Sequence, residues 1–184
     1  MMLRFYDDGL SRDRQAQLYN FLSGPGWEYG AYSTPETRSS CYWYKHFGGF
    51  LGNETLDADK LPPVIGLFWT ALTQEIFKGH TLVRCYANGY PYGAEGAVHT
   101  DISLDAPEGR FFTGLYYPHL RWDADWGGER LFFNAAKDDL IAAIYPKPGR
   151  LVLFDSLIPH VARPLTRKCP ALRITLMFKT EIKS

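Results

Sequence analysis

The run Leu172-Arg173-Ile174-Thr175-Leu176-Met177-Phe178 alternates without a break between apolar residues and a second, mixed set. Side chains two apart share one face of an extended strand. Leu172, Ile174, Leu176 and Phe178 therefore require an apolar layer over them, and Arg173, Thr175 and Met177 face the other way. A guanidinium among such neighbours is costly unless an anion meets it, and its planar fork matches a carboxylate. The ordinary alternative is an edge-strand arginine with its head in water. Two upstream segments qualify as the covering layer. Ser11 is placed to cap a helix running to Leu22, with Gly24-Pro25 as its stop, and Pro62-Pro63 open a second apolar helix that runs through Phe77 to Gly79. From His80 onward short alternating runs are separated by Gly, Pro and Asp. That pattern predicts a mainly β fold, an all-β sandwich or barrel with flanking helices, and two helices packed against a jelly roll account for the apolar outer face of the last strand.

His99-Thr100-Asp101 puts an imidazole and a carboxylate on one face of a strand. His160 follows the apolar run Leu151-Val152-Leu153-Phe154 and is expected from a neighbouring strand. Two imidazoles and one carboxylate leave the far side of a metal open, an arrangement that suits non-haem Fe(II) and oxygen chemistry. A His-x-Asp pair arises easily by chance, so its surroundings decide its meaning. His46, His80 and His119 lack an acidic residue two positions on and read as surface or satisfied structural histidines.

At 184 residues, without repeats or low-complexity linkers, the chain is expected to be a single domain, residues 1–184, with a helical and aromatic-rich part at 1–79 and the β core at 80–182. Formal net charge is zero, which argues against a nucleic-acid partner. Cys41, Cys85 and Cys169 form neither a disulfide framework nor a zinc motif, so a reducing cytoplasm is the expected setting. Neither a signal peptide nor a membrane span is legible.

From about Leu82 to Phe178 these residues resemble the Fe(II)/2-oxoglutarate-dependent dioxygenases, particularly the prolyl-hydroxylase-like branch, which implies a double-stranded β-helix (jelly roll) core over 80–182. Leu82-Val83-Arg84-Cys85-Tyr86-Ala87-Asn88-Gly89 is similar to the strand and turn that lead into the first metal ligand. Thr113-Gly114-Leu115-Tyr116-Tyr117 and the turn around Trp126-Gly127-Gly128-Glu129 are similar to the tyrosine-bearing strand and double-Gly turn of the oxygen-sensing prolyl hydroxylases. The resemblance implies Fe(II) held by His99, Asp101 and His160, with 2-oxoglutarate and O2 as cosubstrates. It also implies Arg173 and Tyr117 at the far carboxylate of 2-oxoglutarate, Tyr86 near its chelating end and Thr113 lining the pocket. Arg167 and Lys168, in an insertion before the last strand, are alternative carboxylate partners. An aspartate at 101, where halogenating relatives carry a small residue, implies hydroxylation or desaturation. A cupin-like metal barrel is a rival reading that needs neither Arg173 nor Tyr117. The nucleic-acid demethylases are another, but normally carry Asn at the place of Thr175 and Arg at that of Lys179.

The substrate is less legible. The ring-rich stretches Trp27–Tyr32 and Cys41–Phe50 are either added strands or a lid, and Asn88–Gly96 feeds directly into His99. Trp43, Tyr90 and Tyr92 are the candidate substrate residues. Few cations interleave with these rings, so a compact, partly apolar small molecule is expected, such as an amino acid or a biosynthetic intermediate. Prolyl or peptidyl hydroxylation is the alternative.

Overall fold

The computed structural model describes residues 2–49, 55–106 and 110–182. Its two helices are α1 (Arg12–Ser23) and α2 (Pro63–Glu75). Its strands are β1 (Leu3–Tyr6), β2 (Glu28–Ala31), β3 (Tyr42–Gly48), β4 (His80–Tyr90), β5 (Phe111–Tyr116), β6 (Arg130–Phe133), β7 (Leu140–Ile144), β8 (Leu151–Asp155), β9 (His160–Ala162) and β10 (Arg173–Ile182). Ser11 caps α1, its side chain accepting from the Arg14 amide, and the Gly24 amide closes the other end on Phe21 O. Helix α2 stops earlier than the sequence suggests. The amides of Ile76 and Phe77 both turn back to Leu72 O, and the fully buried Phe77 ring fills the space over Gly114, where a Cβ would lie 2.4 Å from its Cζ.

All strand pairings are antiparallel. The larger sheet has seven strands in the order β1-β8-β5-β10-β4-β3-β2, and the smaller has three, β7-β6-β9. An antiparallel bridge between His99 and His160 extends the smaller sheet at its free edge. Strand β10 sits in the middle of the larger sheet, and its alternation divides the molecule into two cores. On the outer face Ile174, Leu176 and Phe178 meet Leu18 and Leu22 of α1 and Ile65, Phe68, Trp69 and Leu72 of α2. On the inner face Met177 packs with Leu115, Tyr117, Phe132, Val152 and Phe154 between the two sheets, which makes the jelly roll. Full burial of each large side chain here contributes about 1.5–3 kcal/mol.

The ring-rich N-terminal stretch forms strands β2 and β3 at the end of the larger sheet, so it extends the sheet. Phe50, the last residue of that stretch, lies outside the described residues. The N-terminal segment supplies β1, tied down by Asp7, whose carboxylate pairs with Arg150 at 2.7 Å and Lys147 at 2.9 Å.

Candidate metal centre

The β6–β9 pairing and the His99–His160 bridge bring together groups that are far apart in sequence. Ligand atoms of His99, Asp101 and His160 all lie within 4.8 Å of one another. His99 Nδ1 is 2.8 Å from Ala97 O and His160 Nδ1 is 2.8 Å from Ile158 O. A carbonyl only accepts, so each Nδ1 carries the proton and each Nε2 keeps its lone pair. Both Nε2 atoms point at the carboxylate, His99 at 3.7 Å from Oδ1 and His160 at 3.6 Å from Oδ2. Burial is the main reason that both imidazoles resist protonation; for His160 it pushes the pKa down to about 3. Two neutral imidazoles and one carboxylate are the donor set that a divalent first-row metal takes.

Asp101 is the one acidic member, and its surroundings keep it ionised. Burial alone would raise its pKa, but the Lys179 ammonium in contact with it outweighs that and holds it well below the usual carboxylate range. Lys179 Nζ contacts Asp101 Oδ2 and donates to Thr113 Oγ1 at 3.0 Å. Thr113 in turn donates to Asp101 Oδ2 at 2.7 Å and stands 3.0 Å from Ser156 Oγ. A hydroxyl has one proton and two lone pairs, so Thr113 is fully used. The registers explain the meeting: Lys179 faces Thr113 across β10–β5 and Arg84 across β10–β4, all inward.

Arg173 lies at the other end of β10 and is fully buried. Its Nη1 donates to Gly128 O, while Nε and Nη2 have no hydrogen-bond partner, and its guanidinium carbon sits 4.6 Å from the Tyr90 ring centroid. The hydroxyls of Tyr117 and Thr175 are likewise buried without partners. Orphaned polar groups of this kind typically cost about 1–3 kcal/mol each, so such a cluster needs an account. A carboxylate fits that unsatisfied donor set. The double-Gly turn makes the room: Gly128 has φ +83°, and a Cβ there would come within 2.9 Å of Arg173 Cδ and of Leu165 Cδ2. The alternative cations are engaged at the surface, Arg167 with Tyr92 Oη at 3.0 Å and Lys168 with Asp125.

Between the triad and strands β2 to β4 lies a cavity of about 730 Å³, bordered by His99, Asp101, Lys179, Arg84, Tyr86, Asn88, Tyr42 and Tyr44 among others. Tyr86 reaches toward Asp101, and burial, then that carboxylate, raises its pKa, so the phenol stays neutral. The three aromatic substrate candidates are placed differently. Trp43 has the opposite parity to Tyr42 and Tyr44, so its ring meets Tyr29 on the outer face of the sheet at a centroid distance of 5.2 Å. Tyr90 is buried behind the cavity wall, stacked on Tyr42 at 4.2 Å, and Tyr92 is exposed beside Arg167. His46 borders the cavity away from the triad, while His119 is buried with Nε2 accepting from the Ile174 amide at 2.9 Å.

The sequence reading assigned no role to several residues at the site, among them Lys179, Arg130, Arg84 and Thr175. Lys179 continues the inward parity of Arg173, Thr175 and Met177, so extending that alternation by two residues finds it. Arg130 opens an otherwise apolar strand and is buried, with Nε unpartnered; its charge helps hold down the pKa of both His99 and His160. The reasoning that singled out Arg173 applies equally to it.

No curated protein matches the chain. Among solved structures it is similar to a Pseudomonas putida prolyl-4-hydroxylase, with 19% identity over 99% of this chain and 93% of that one and a TM-score of 0.66. It is also similar to a Trichoplax adhaerens prolyl hydroxylase solved with a hypoxia-inducible-factor degradation-domain peptide, at 18% identity, 98% and 83% coverage and a TM-score of 0.63. A third likeness is HygX from Streptomyces hygroscopicus, solved with nickel and 2-oxoglutarate, at 9% identity, 97% and 82% coverage and a TM-score of 0.61. At such identities these likenesses speak to the fold. The family model of the 2OG-Fe(II) oxygenase superfamily matches residues 83–178, more than half of the chain, and with the triad and the mainly β fold already described, the chain belongs to that superfamily.

Proposed function

We propose that this 2OG-Fe(II) oxygenase hydroxylates a C–H bond of a small molecule, such as an amino acid or a biosynthetic intermediate. His99, Asp101 and His160 hold the iron, and Arg173 with Tyr117 and Thr175 holds the far carboxylate of 2-oxoglutarate. The observation that carries this assignment is the buried, unpartnered set of Arg173, Tyr117 and Thr175, an anion clamp without an anion from the protein itself. Bound Fe(II) would activate dioxygen, the oxidant, with 2-oxoglutarate giving up two electrons as it becomes succinate and carbon dioxide, so that one oxygen atom enters succinate and the other the substrate C–H bond. The protein's own residues orient and protect. Ala97 and Ile158 carbonyls aim the two imidazoles, Lys179 and Thr113 fix the carboxylate, and Tyr86 closes the wall beside it.

A cavity whose walls carry the rings of Tyr42, Tyr44 and Tyr86 supports a compact, partly apolar molecule in preference to an extended peptide. Free cysteines at 41, 85 and 169 agree with a reducing cytoplasm; no described helix is long and apolar enough to cross a membrane. The test is succinate formation from 2-oxoglutarate with a metabolite panel and a prolyl-peptide panel. Stimulation with a mass gain of one oxygen among the metabolites is expected, and stimulation by peptides alone overturns the small-molecule reading. Arg173→Ala is expected to raise the 2-oxoglutarate requirement strongly with iron binding intact, since breaking a buried charge pair costs about 3–5 kcal/mol. A larger effect from Arg167→Ala or Lys168→Ala would move the clamp elsewhere.

A further inference from the structure

Of the charged groups that border the cavity, Glu28, Arg84, Asp101 and Lys179, three are committed. Lys179 is held by Asp101 and Thr113, and Glu28 accepts from Tyr44 Oη at 2.7 Å. Arg84 has no carboxylate partner among the described residues. Its Nε is buried without a hydrogen bond, and its guanidinium carbon lies 4.5 Å from the Tyr86 ring centroid. That stacking fixes the plane of the fork and leaves its hydrogens free to meet an anion.

Arg84 is not a second copy of the cosubstrate clamp. The Arg84 and Arg173 guanidinia stack on Tyr86 and Tyr90, four positions apart on β4, roughly 13 Å along an extended strand. One carboxylate cannot meet both. Arg84 stands instead at the end of the barrel where Lys179, its direct partner across β10–β4, touches the triad carboxylate. The charge balance points the same way. Arg84 and Lys179 balance Glu28 and Asp101 in number, but Lys179 is spent on Asp101 and Glu28 lies at the exposed rim on Tyr44, so the Arg84 guanidinium is the charge at the wall left for a ligand to meet. An uncompensated guanidinium at the cavity wall disfavours cationic ligands and favours anionic ones.

We infer that the substrate is a small organic anion whose carboxylate or phosphate group is received by Arg84, so that the rest of the molecule lies across the iron. The inference rests on the oxygenase reading and narrows its substrate class. The protein loaded with Fe(II) and 2-oxoglutarate, with oxygen excluded, is titrated calorimetrically with pentanoate, butyl phosphate and the neutral pentanamide. One of the two anions is expected to bind roughly tenfold or more tighter than the amide, the yield of a charge-assisted hydrogen bond, and which one does so separates carboxylate from phosphate. Arg84→Gln should erase the preference and Arg84→Lys keep part of it, both with iron content and 2-oxoglutarate affinity unchanged. Equal binding of the three probes, no binding of any, or a preference that survives in Arg84→Gln overturns the inference. A fall in 2-oxoglutarate affinity in Arg84→Gln also overturns it by assigning Arg84 to the cosubstrate. Failure of the wild-type protein to take up iron or 2-oxoglutarate would be a different result, since it removes the oxygenase reading itself.

Discussion

Lys179→Met separates what the protein does for its metal ligands from what the metal does for the protein. Lys179 and Asp101 are almost fully buried side chains in direct contact, and burial alone would drive the Asp101 carboxyl toward its neutral form. Removing the ammonium leaves a buried carboxylate with only Thr113 and two neutral imidazoles around it. Breaking one side of such a pair typically costs about 3–5 kcal/mol. For a domain of this size that lowers the melting temperature of the metal-free protein by roughly 6–20 °C. The sign with pH follows. In the wild type the depressed Asp101 pKa contributes stability that is full above the unfolded value near 4 and lost only as pH falls below it. In Lys179→Met the folded pKa moves above that value, so the deficit widens as pH rises from about 4. A divalent ion replaces the missing positive charge, so Co(II) or Zn(II) should stabilise the variant more than the wild type and narrow the gap. Thermal and urea unfolding of both proteins, with and without metal, measures all of this. A metal-free deficit below about 1 kcal/mol, within the range of an exposed pair, or a deficit that metal leaves untouched, would refute the reasoning.

Gly128→Ala forces a Cβ into a left-handed backbone and against Arg173 Cδ; it should cost about 1–3 kcal/mol of stability and raise the 2-oxoglutarate requirement while iron binding persists, read by succinate kinetics against 2-oxoglutarate. His119, pushed down to about 3 chiefly by burial, should make the metal-free fold lose stability as pH falls from about 6.5 toward 3, because the unfolded chain takes up the proton first; His119→Gln should flatten that slope in urea titrations, and an unchanged slope would exclude it. Trp43→Ala, on the outer face with Tyr29, should leave substrate-stimulated succinate formation at the wild-type level, and its loss would put that face at the substrate.

Much of this architecture was legible because β10 states its own solution. Its alternation called for an apolar layer on one side, which α1 and α2 supply, and for an anion at Arg173 on the other, where Nε and Nη2 are left without partners. The triad was legible for the same reason, since His99 and Asp101 share parity and His160 follows an apolar strand. Short strands were harder. Strand β1 holds its place through pairing with β8 and the Asp7 contacts to Arg150 and Lys147, all distant in sequence. The end of α2 was misjudged because the void above Gly114, which Phe77 fills, exists only once β5 and α2 meet. Trp43 stands in the ring-rich stretch that could have formed a lid, whereas parity on β3 decides which rings face the cavity, and Tyr42 and Tyr44 are the ones that do.

The two faces of β10 also bear on how this chain can change over time. Arg173 and Lys179 lie six residues apart with the same parity, and between them the outward positions Ile174, Leu176 and Phe178 anchor the helices. A one-residue deletion or insertion between them flips every side chain beyond it. A residue inserted between Arg173 and Phe178 would turn Lys179 outward and at least one apolar anchor inward in the same event, so it would damage packing together with the chemistry. Substitutions can drift the chemistry here one position at a time, whereas changes in length are barred. The spacing from Arg173 to Lys179 should therefore outlast the identity of either residue among the descendants of this gene, and the one irregularity in register that β10 carries against β4 falls after Lys179, once both inward charges have been placed.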